Sequence, residues 1–128
     1  MRGELGTVST DRAPAAIGPY SQAKIAGGFL FASGQIAINP ASGTVEADTI
    51  EGQTEQIMKN IAAILAEAGL TFDSVVKTTC FLKNMSDFGV FNEIYGKYFT
   101  SNPARSCVAA AQLPKDVLAE VEIIAVCG

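Results

Sequence analysis

Histidine is absent from this 128-residue chain, as is tryptophan. Without an imidazole a Ser-His-Asp triad is excluded. The commonest metal ligand is missing too, and no clustered thiolates replace it. Cysteine is scarce. Cys80, Cys107 and Cys127 are odd in number and widely spaced, with no C-x-x-C pair, which fits neither a disulfide framework nor a zinc site. Free thiols imply a reducing compartment, so a cytoplasmic protein is expected. Positive charge is also thin: nine Lys and Arg against thirteen Asp and Glu give a net charge of −4, and no two basic residues are adjacent. Nucleic-acid binding needs concentrated positive charge, so it is not expected. No apolar run approaches the ~20 residues of a membrane span. The leading Met1-Arg2-Gly3-Glu4-Leu5-Gly6-Thr7 has no apolar h-region, so no secretory signal is expected. Asn84-Met85-Ser86 is then a chance glycosylation match. Neither G-x-x-x-x-G-K-[ST] nor G-x-G-x-x-G occurs, which leaves those nucleotide-binding routes unsupported.

What is present is apolar. Hydrophobic residues make up 48% and charged residues 17%, and the length suits one domain over residues 1–128. So little polar surface favours a subunit interface, since monomers rarely expose large apolar patches. The first 15 residues read as a partly extended arm, and Gly18-Pro19 as a turn. Residues 29–36 read as a strand that loses its bulk in its far half, and residues 39–43 as a turn cluster. Between Thr49 and Ala68, Ile50, Ile57, Ile61, Ile64 and Leu65 repeat at helical spacing, and Gly69 supplies a stop. Ser74 to Leu82 is β-branched and reads as a strand. Ser86 is the expected N-cap of a second helix that carries Phe88, Phe91, Ile94, Tyr95, Tyr98 and Phe99 on one broad face. Strands are expected at 105–111 and 119–127.

The order β-(β)-α-β-α-β-β predicts an α+β fold, with two helices on one face of a mixed sheet. On the last strand Val121, Ile123 and Ala125 point one way, and Ile124 and Val126 the other. A strand apolar on both faces is covered on both. Two helices cover one face, so a second subunit is expected on the other.

Two kinds of side chain remain for chemistry. Arg105 opens the run Arg105-Ser106-Cys107-Val108 after Pro103-Ala104. A guanidinium there offers a rigid fork of donors to a carboxylate or phosphate; the plain alternative is a surface salt bridge. Glu120 and Glu122 share the strand face that carries Ile124 and Val126. An acid on a buried strand is costly unless paired or functional, and the plain alternative is an exposed strand end. For Cys107, no histidine or lysine neighbour is visible to lower its pKa, so its thiol reads as a small buried hydrophobe.

Five motifs in register carry a resemblance: residues 17–23 (IGPYSQA), residues 33–36 (SGQI), Asp87-Phe88 with Asn92 and Tyr95, residues 103–108 (PARSCV), and Leu113-Pro114 followed by Glu120-Val121-Glu122. Together they resemble the reactive intermediate deaminase family (Rid, or YjgF), most closely its RidA branch, from about residue 13 to the end. The resemblance implies a chorismate-mutase-like fold and a homotrimer with clefts between subunits. It implies hydrolysis of 2-aminoacrylate and 2-iminobutyrate to 2-keto acids and ammonia, with no metal or cofactor, in support of pyridoxal-phosphate enzymes. By the same resemblance Arg105 binds the substrate carboxylate, Glu120 holds the attacking water and the Cys107 main chain meets the imine. Tyr20, Ser33, Gly34 and Asn92 shape the pocket.

A tight hairpin of the last two strands around Lys115 puts Arg105 opposite Ala125, roughly 17 Å from Glu120 at ~3.3 Å per residue. Either the strands pair otherwise, or the site draws on two chains; a trimer favours the second. Two other functions stay open: a non-enzymatic trimer binding small carboxylates, and a ribonuclease or translation inhibitor, for which the chain's charge is poorly suited.

Overall fold

A computed structural model describes residues 5–128. Helix α1 spans Ile50–Glu67 and shows both of the ends read from the sequence. The Thr49 hydroxyl accepts the Gly52 N–H at 3.1 Å. At the far end Gly69 takes φ +74°, Leu70 N–H reaches Leu65 O at 2.8 Å and Gly69 N–H reaches Ala66 O at 3.0 Å, the paired bonds of a Schellman stop. Ile57, Ile61, Ile64 and Leu65 are fully buried.

Helix α2 spans Phe88–Tyr98. Its expected cap, Ser86, is not the cap. A 3-10 turn over Met85–Asp87 precedes the helix, Asp87 stands at the N-cap, and no side chain caps it. The tight turn closed by Asp87 N–H to Asn84 O takes Ser86 into its middle, one residue ahead of the N-cap position.

The described residues form eight strands: β1 Gly6–Val8, β2 Ala23–Ala26, β3 Phe29–Ala32, β4 Ile38–Asn39, β5 Thr44–Val45, β6 Val75–Leu82, β7 Ala104–Ala109 and β8 Ala119–Val126. Six form one mixed sheet in the order β1-β2-β3-β8-β6-β7, and β4 pairs with β5 separately. Only β6 and β7 run parallel, joined through α2. Part of the expected N-terminal arm is therefore an edge strand, while its first four residues lie outside the described ones. The β2–β3 hairpin turns on Gly27 and Gly28, both at positive φ, as a two-residue hairpin loop demands.

The tight hairpin between the last two strands does not form. β8 inserts between β3 and β6, so β6 separates it from β7. The connection holds Pro114 and two left-handed residues, Lys115 (φ 56°) and Asp116 (φ 54°), and Lys83 N–H takes Leu118 O at 2.9 Å. That path carries the chain across the end of β6 instead of folding it back on β7.

Pleating then sorts the side chains. Thr78, Cys80 and Leu82 of β6, with Ala119, Val121, Ile123 and Ala125 of β8, are buried on the helix side. The opposite face presents Phe31, Phe81, Val108, Ile124 and Val126 with Glu120 and Glu122, and among the described residues no helix or strand lies over it. Phe31 is 46% and Val108 50% exposed. This is the uncovered apolar face that the last strand's two-sided pattern predicts. Among the described residues, no helix is long and apolar enough to cross a membrane.

Candidate active site

Four of the seven predicted site residues meet in one cavity. Phe31 lies opposite Ile124, yet Gln35 lies opposite Val121. Residues 32–34 thus face only residues 122–123, a β-bulge with one extra residue on the β3 side. Gln35 N–H donates to Val121 O at 2.8 Å and Val121 N–H donates back to Gln35 O at 3.0 Å, so pairing resumes at once. The bulge sets Gly34 directly beneath the Glu120 carboxylate. A β-carbon at Gly34 would stand 2.9 Å from Glu120 Cδ and closer still to Oε2; glycine is the residue that fits there. Ser33 is fixed by its own bonds, N–H to Gln22 O at 2.9 Å and hydroxyl to Ser21 O at 2.6 Å.

The cavity above Gly34 has a volume of about 610 Å³, and Tyr20, Ser33, Gly34 and Glu120 all line it. Tyr20 stands at its rim, 54% exposed, on the turn closed by Tyr20 N–H to Gly18 O. Two buried amides that the sequence reading passed over hold the walls. Gln22 donates to the carbonyls of Thr10, Ala13 and Pro14 and accepts Thr10 N–H at 2.7 Å. Asn60, fully buried on α1, donates to Ile36 O and Ile38 O at 3.1 and 3.0 Å. Gln22 stands between Ser21 and Ala23-Lys24 and Asn60 next to Lys59, so a hydrophobic pattern counts both as surface positions. Burial raises the Glu120 carboxyl above its ordinary pKa, and the charge of Glu122 adds to that.

The remaining three residues lie elsewhere. Arg105 sits at the start of the edge strand β7, opposite Thr78 and therefore on the helix side. Its guanidinium carbon lies 5.3 Å from the ring centre of Phe88 and 4.8 Å from that of Tyr95, and Nη1 donates to Asn92 Oδ1 at 2.6 Å. Asn92 is thus no plain solvated position on α2. Arg105 and Asn92 line a second, shallower hollow of about 430 Å³ with Tyr95, Asn102 and Pro103. Cys107 lies two residues further along β7, half-buried opposite Cys80. Burial raises both thiols, Cys80 to about 12, so neither is a ready nucleophile.

Within one protomer the two hollows cannot serve one small molecule. Thr78 is level with Arg105, and Phe81 with Glu120. The offset is roughly 10 Å along the strands and roughly 10 Å across two inter-strand spacings. Glu120 also points to the open face and Arg105 to the helix face. The strand pairing differs from the hairpin, and the separation persists.

The chain matches the family model described as Endoribonuclease L-PSP over residues 10–127. A Lactococcus lactis protein named as a candidate regulator, AldR, is 60% identical over 119 residues, covering 92% of this chain and 94% of its own length. The Escherichia coli K12 protein named 2-iminobutanoate/2-iminopropanoate deaminase is 48% identical over 124 residues, covering 94% and 96%. Among solved structures, a Rid-family protein from Yersinia pestis superposes with a TM-score of 0.93 at 48% identity, covering 96% of this chain and 99% of that one. E. coli TdcF, solved with bound serine, gives 0.89 at 42% identity, covering 94% and 98%.

Proposed function

This chain belongs to the reactive intermediate deaminase (Rid/YjgF) family, and from that premise we propose that it hydrolyses small 2-imino acids to 2-keto acids and ammonia. The observation that carries the reading is the placement of Glu120: a carboxyl with a raised pKa, set by a bulge and a glycine at the wall of an apolar cavity. A protonated imine is already electrophilic, so the reaction needs positioning and a base for water. Glu120 orients the water and takes its proton as oxygen adds to the imine carbon. Glu120 returns that proton to the carbinolamine nitrogen; ammonia then leaves as the hydroxyl gives its proton back to Glu120, and the keto acid remains. Arg105 holds the substrate carboxylate by a bidentate contact.

Because Arg105 and Glu120 face opposite sides of one sheet, the site is completed between subunits of a homotrimer. The apolar face bearing Phe31, Val108 and Val126 supplies the contact. The serine in TdcF supports a small amino-acid-like ligand. The AldR name favours a second reading, a carboxylate-binding trimer without turnover. The net charge of −4 with scattered cations counts against the RNA chemistry in the family model's description.

The test adds purified protein to a serine or threonine dehydratase and times keto acid release. Arg105→Ala and Glu120→Gln are each expected to lose most activity. When the two are refolded together at equal ratio, about one interface in four in a cyclic trimer joins an intact Arg105 to an intact Glu120, so about a quarter of wild-type activity returns. No recovery overturns the shared site. Pyruvate binding by the wild type without faster keto acid release leaves the binding module instead.

A further inference from the structure

The helix-side core contains a pair of hydroxyls that the proposed chemistry does not use. Tyr95 OH and Thr78 Oγ1 are 2.7 Å apart, Thr78 is fully buried and Tyr95 nearly so. Both adjoin Arg105: Thr78 is its register partner on β6, and the Tyr95 ring lies 4.8 Å from its guanidinium carbon. Tyr95 is also packed between Phe91 and Phe99, at 5.8 and 4.5 Å between ring centres. Phe88, Asn92 and Tyr95 follow the i, i+4, i+7 spacing of one face of α2.

We propose that Tyr95, tied by its hydroxyl to Thr78, is a positioning residue that sets the plane of the Arg105 guanidinium for carboxylate binding; this rests on the proposed function above. The reasoning is geometric. A guanidinium offers five N–H donors in one plane, and a carboxylate is bound bidentately only when that plane is aligned with it. Arg105 sits on an edge strand, where nothing in the sheet fixes its long side chain. The rings of Phe88 and Tyr95 hold the guanidinium by cation–π attraction, and Asn92 occupies one donor at Nη1. The other in-plane donors remain for the substrate. The ring does this only if its own tilt is fixed, and the Thr78 bond ties its outer end to β6, at the register position that faces Arg105 on β7. A core hydroxyl pair with no further role would affect stability and nothing else.

The test is a variant series read by calorimetric titration of pyruvate and by KM and kcat for 2-iminobutyrate, using the assembled protein throughout. Tyr95→Phe and Thr78→Val keep the packing and remove the tie. Each is expected to weaken pyruvate binding and raise KM by about three- to tenfold with kcat within about twofold, and the double variant is expected to be no worse than either. Tyr95→Leu removes the ring face and is expected to cost more than about tenfold. In an Arg105→Lys background the same Tyr95→Leu change is expected to have little further effect, because no guanidinium plane is left to align. A lowered melting temperature with unchanged pyruvate affinity and KM in Tyr95→Phe and Thr78→Val overturns the proposal. Arg105→Ala separates the two levels. If it binds pyruvate like the wild type, the carboxylate site itself is misplaced; if it loses binding while the Tyr95 and Thr78 variants do not, only the positioning role fails.

Discussion

The acid half and the cation half of the site are held by different means. Around Glu120 the work is done by main chain: a bulge, a glycine with no room for a methyl group, and two buried amides gripping five carbonyls. Around Arg105 the backbone is a regular parallel pairing, and side chains supply the precision: two aromatic rings and one asparagine. The first half tolerates almost no change of shape. The second tolerates changes of shape but depends on the chemistry of each group. The comparison therefore predicts where substitution removes turnover outright and where it only tunes affinity.

Gly34→Ala is expected to have the largest effect. The new methyl group has to displace the Glu120 carboxylate, and misplacing a reacting group by about 1 Å costs on the order of 10²-fold in rate. Keto acid titration in the same variant should remain near wild type, since Arg105 is untouched. If binding falls in step with turnover, the two halves are not independent.

Asn60→Ala should come next. It removes the side-chain donor shared by the carbonyls of Ile36 and Ile38, at about 1–3 kcal/mol, which chemical denaturation will read as a lower midpoint. Its turnover at 25 °C should fall less than that of Gly34→Ala. Asn92→Ala removes a partner of Arg105 on the exposed side and should raise KM by about two- to tenfold with little change in melting temperature. An effect on kcat larger than on KM would show that Asn92 acts on the imine and not through Arg105.

The smallest expected effect is on pH dependence. Glu120 acts ionised, and burial raises its pKa, with Glu122 adding to it. Activity should therefore fall, as pH is lowered, through a value above that of a free carboxyl. Glu122→Gln removes the lesser cause and should move that limb to lower pH, leaving it above the ordinary value because burial remains. The sign for stability is opposite. A raised carboxyl pKa favours the folded state at low pH, and that contribution is lost as pH rises through the folded-state value. A limb that does not move in Glu122→Gln would assign it to another group.

The two halves also differed in how legible they were. Local signals mark α1: Thr49 before it, Gly69 after it, and the isoleucine stripe between. The two-sided apolar pattern of β8 foretold the open face. Arg105 and Glu120 were read as chemistry because a cation and an acid stand out in apolar strands. The insertion of β8 between β3 and β6 has no local signature, since it pairs Phe29 with Val126 across nearly the whole chain. The bulge at Ser33–Gly34 shows in the sequence only as a loss of bulk, and the Gly27-Gly28 hairpin turn is hard to read because β2 is four residues long and carries Lys24. Ser86 was misread because a good capping side chain does not prevent a 3-10 turn from taking its place.

The position of β8 has a consequence for the newly made chain. It is made after every other described strand and is also the one that joins the two halves of the sheet. The β2–β3 hairpin closes through a two-residue turn, on a microsecond scale, and α1 and α2 can coil as soon as they emerge. Synthesis proceeds at about 5–20 residues per second, so all of these wait, with β3 and β6 unjoined, for residues 119–126. Glu120 rides on that strand. No nascent or truncated chain that lacks it has the acid in place, and the proposed site gains Glu120 only in the step that seals the sheet.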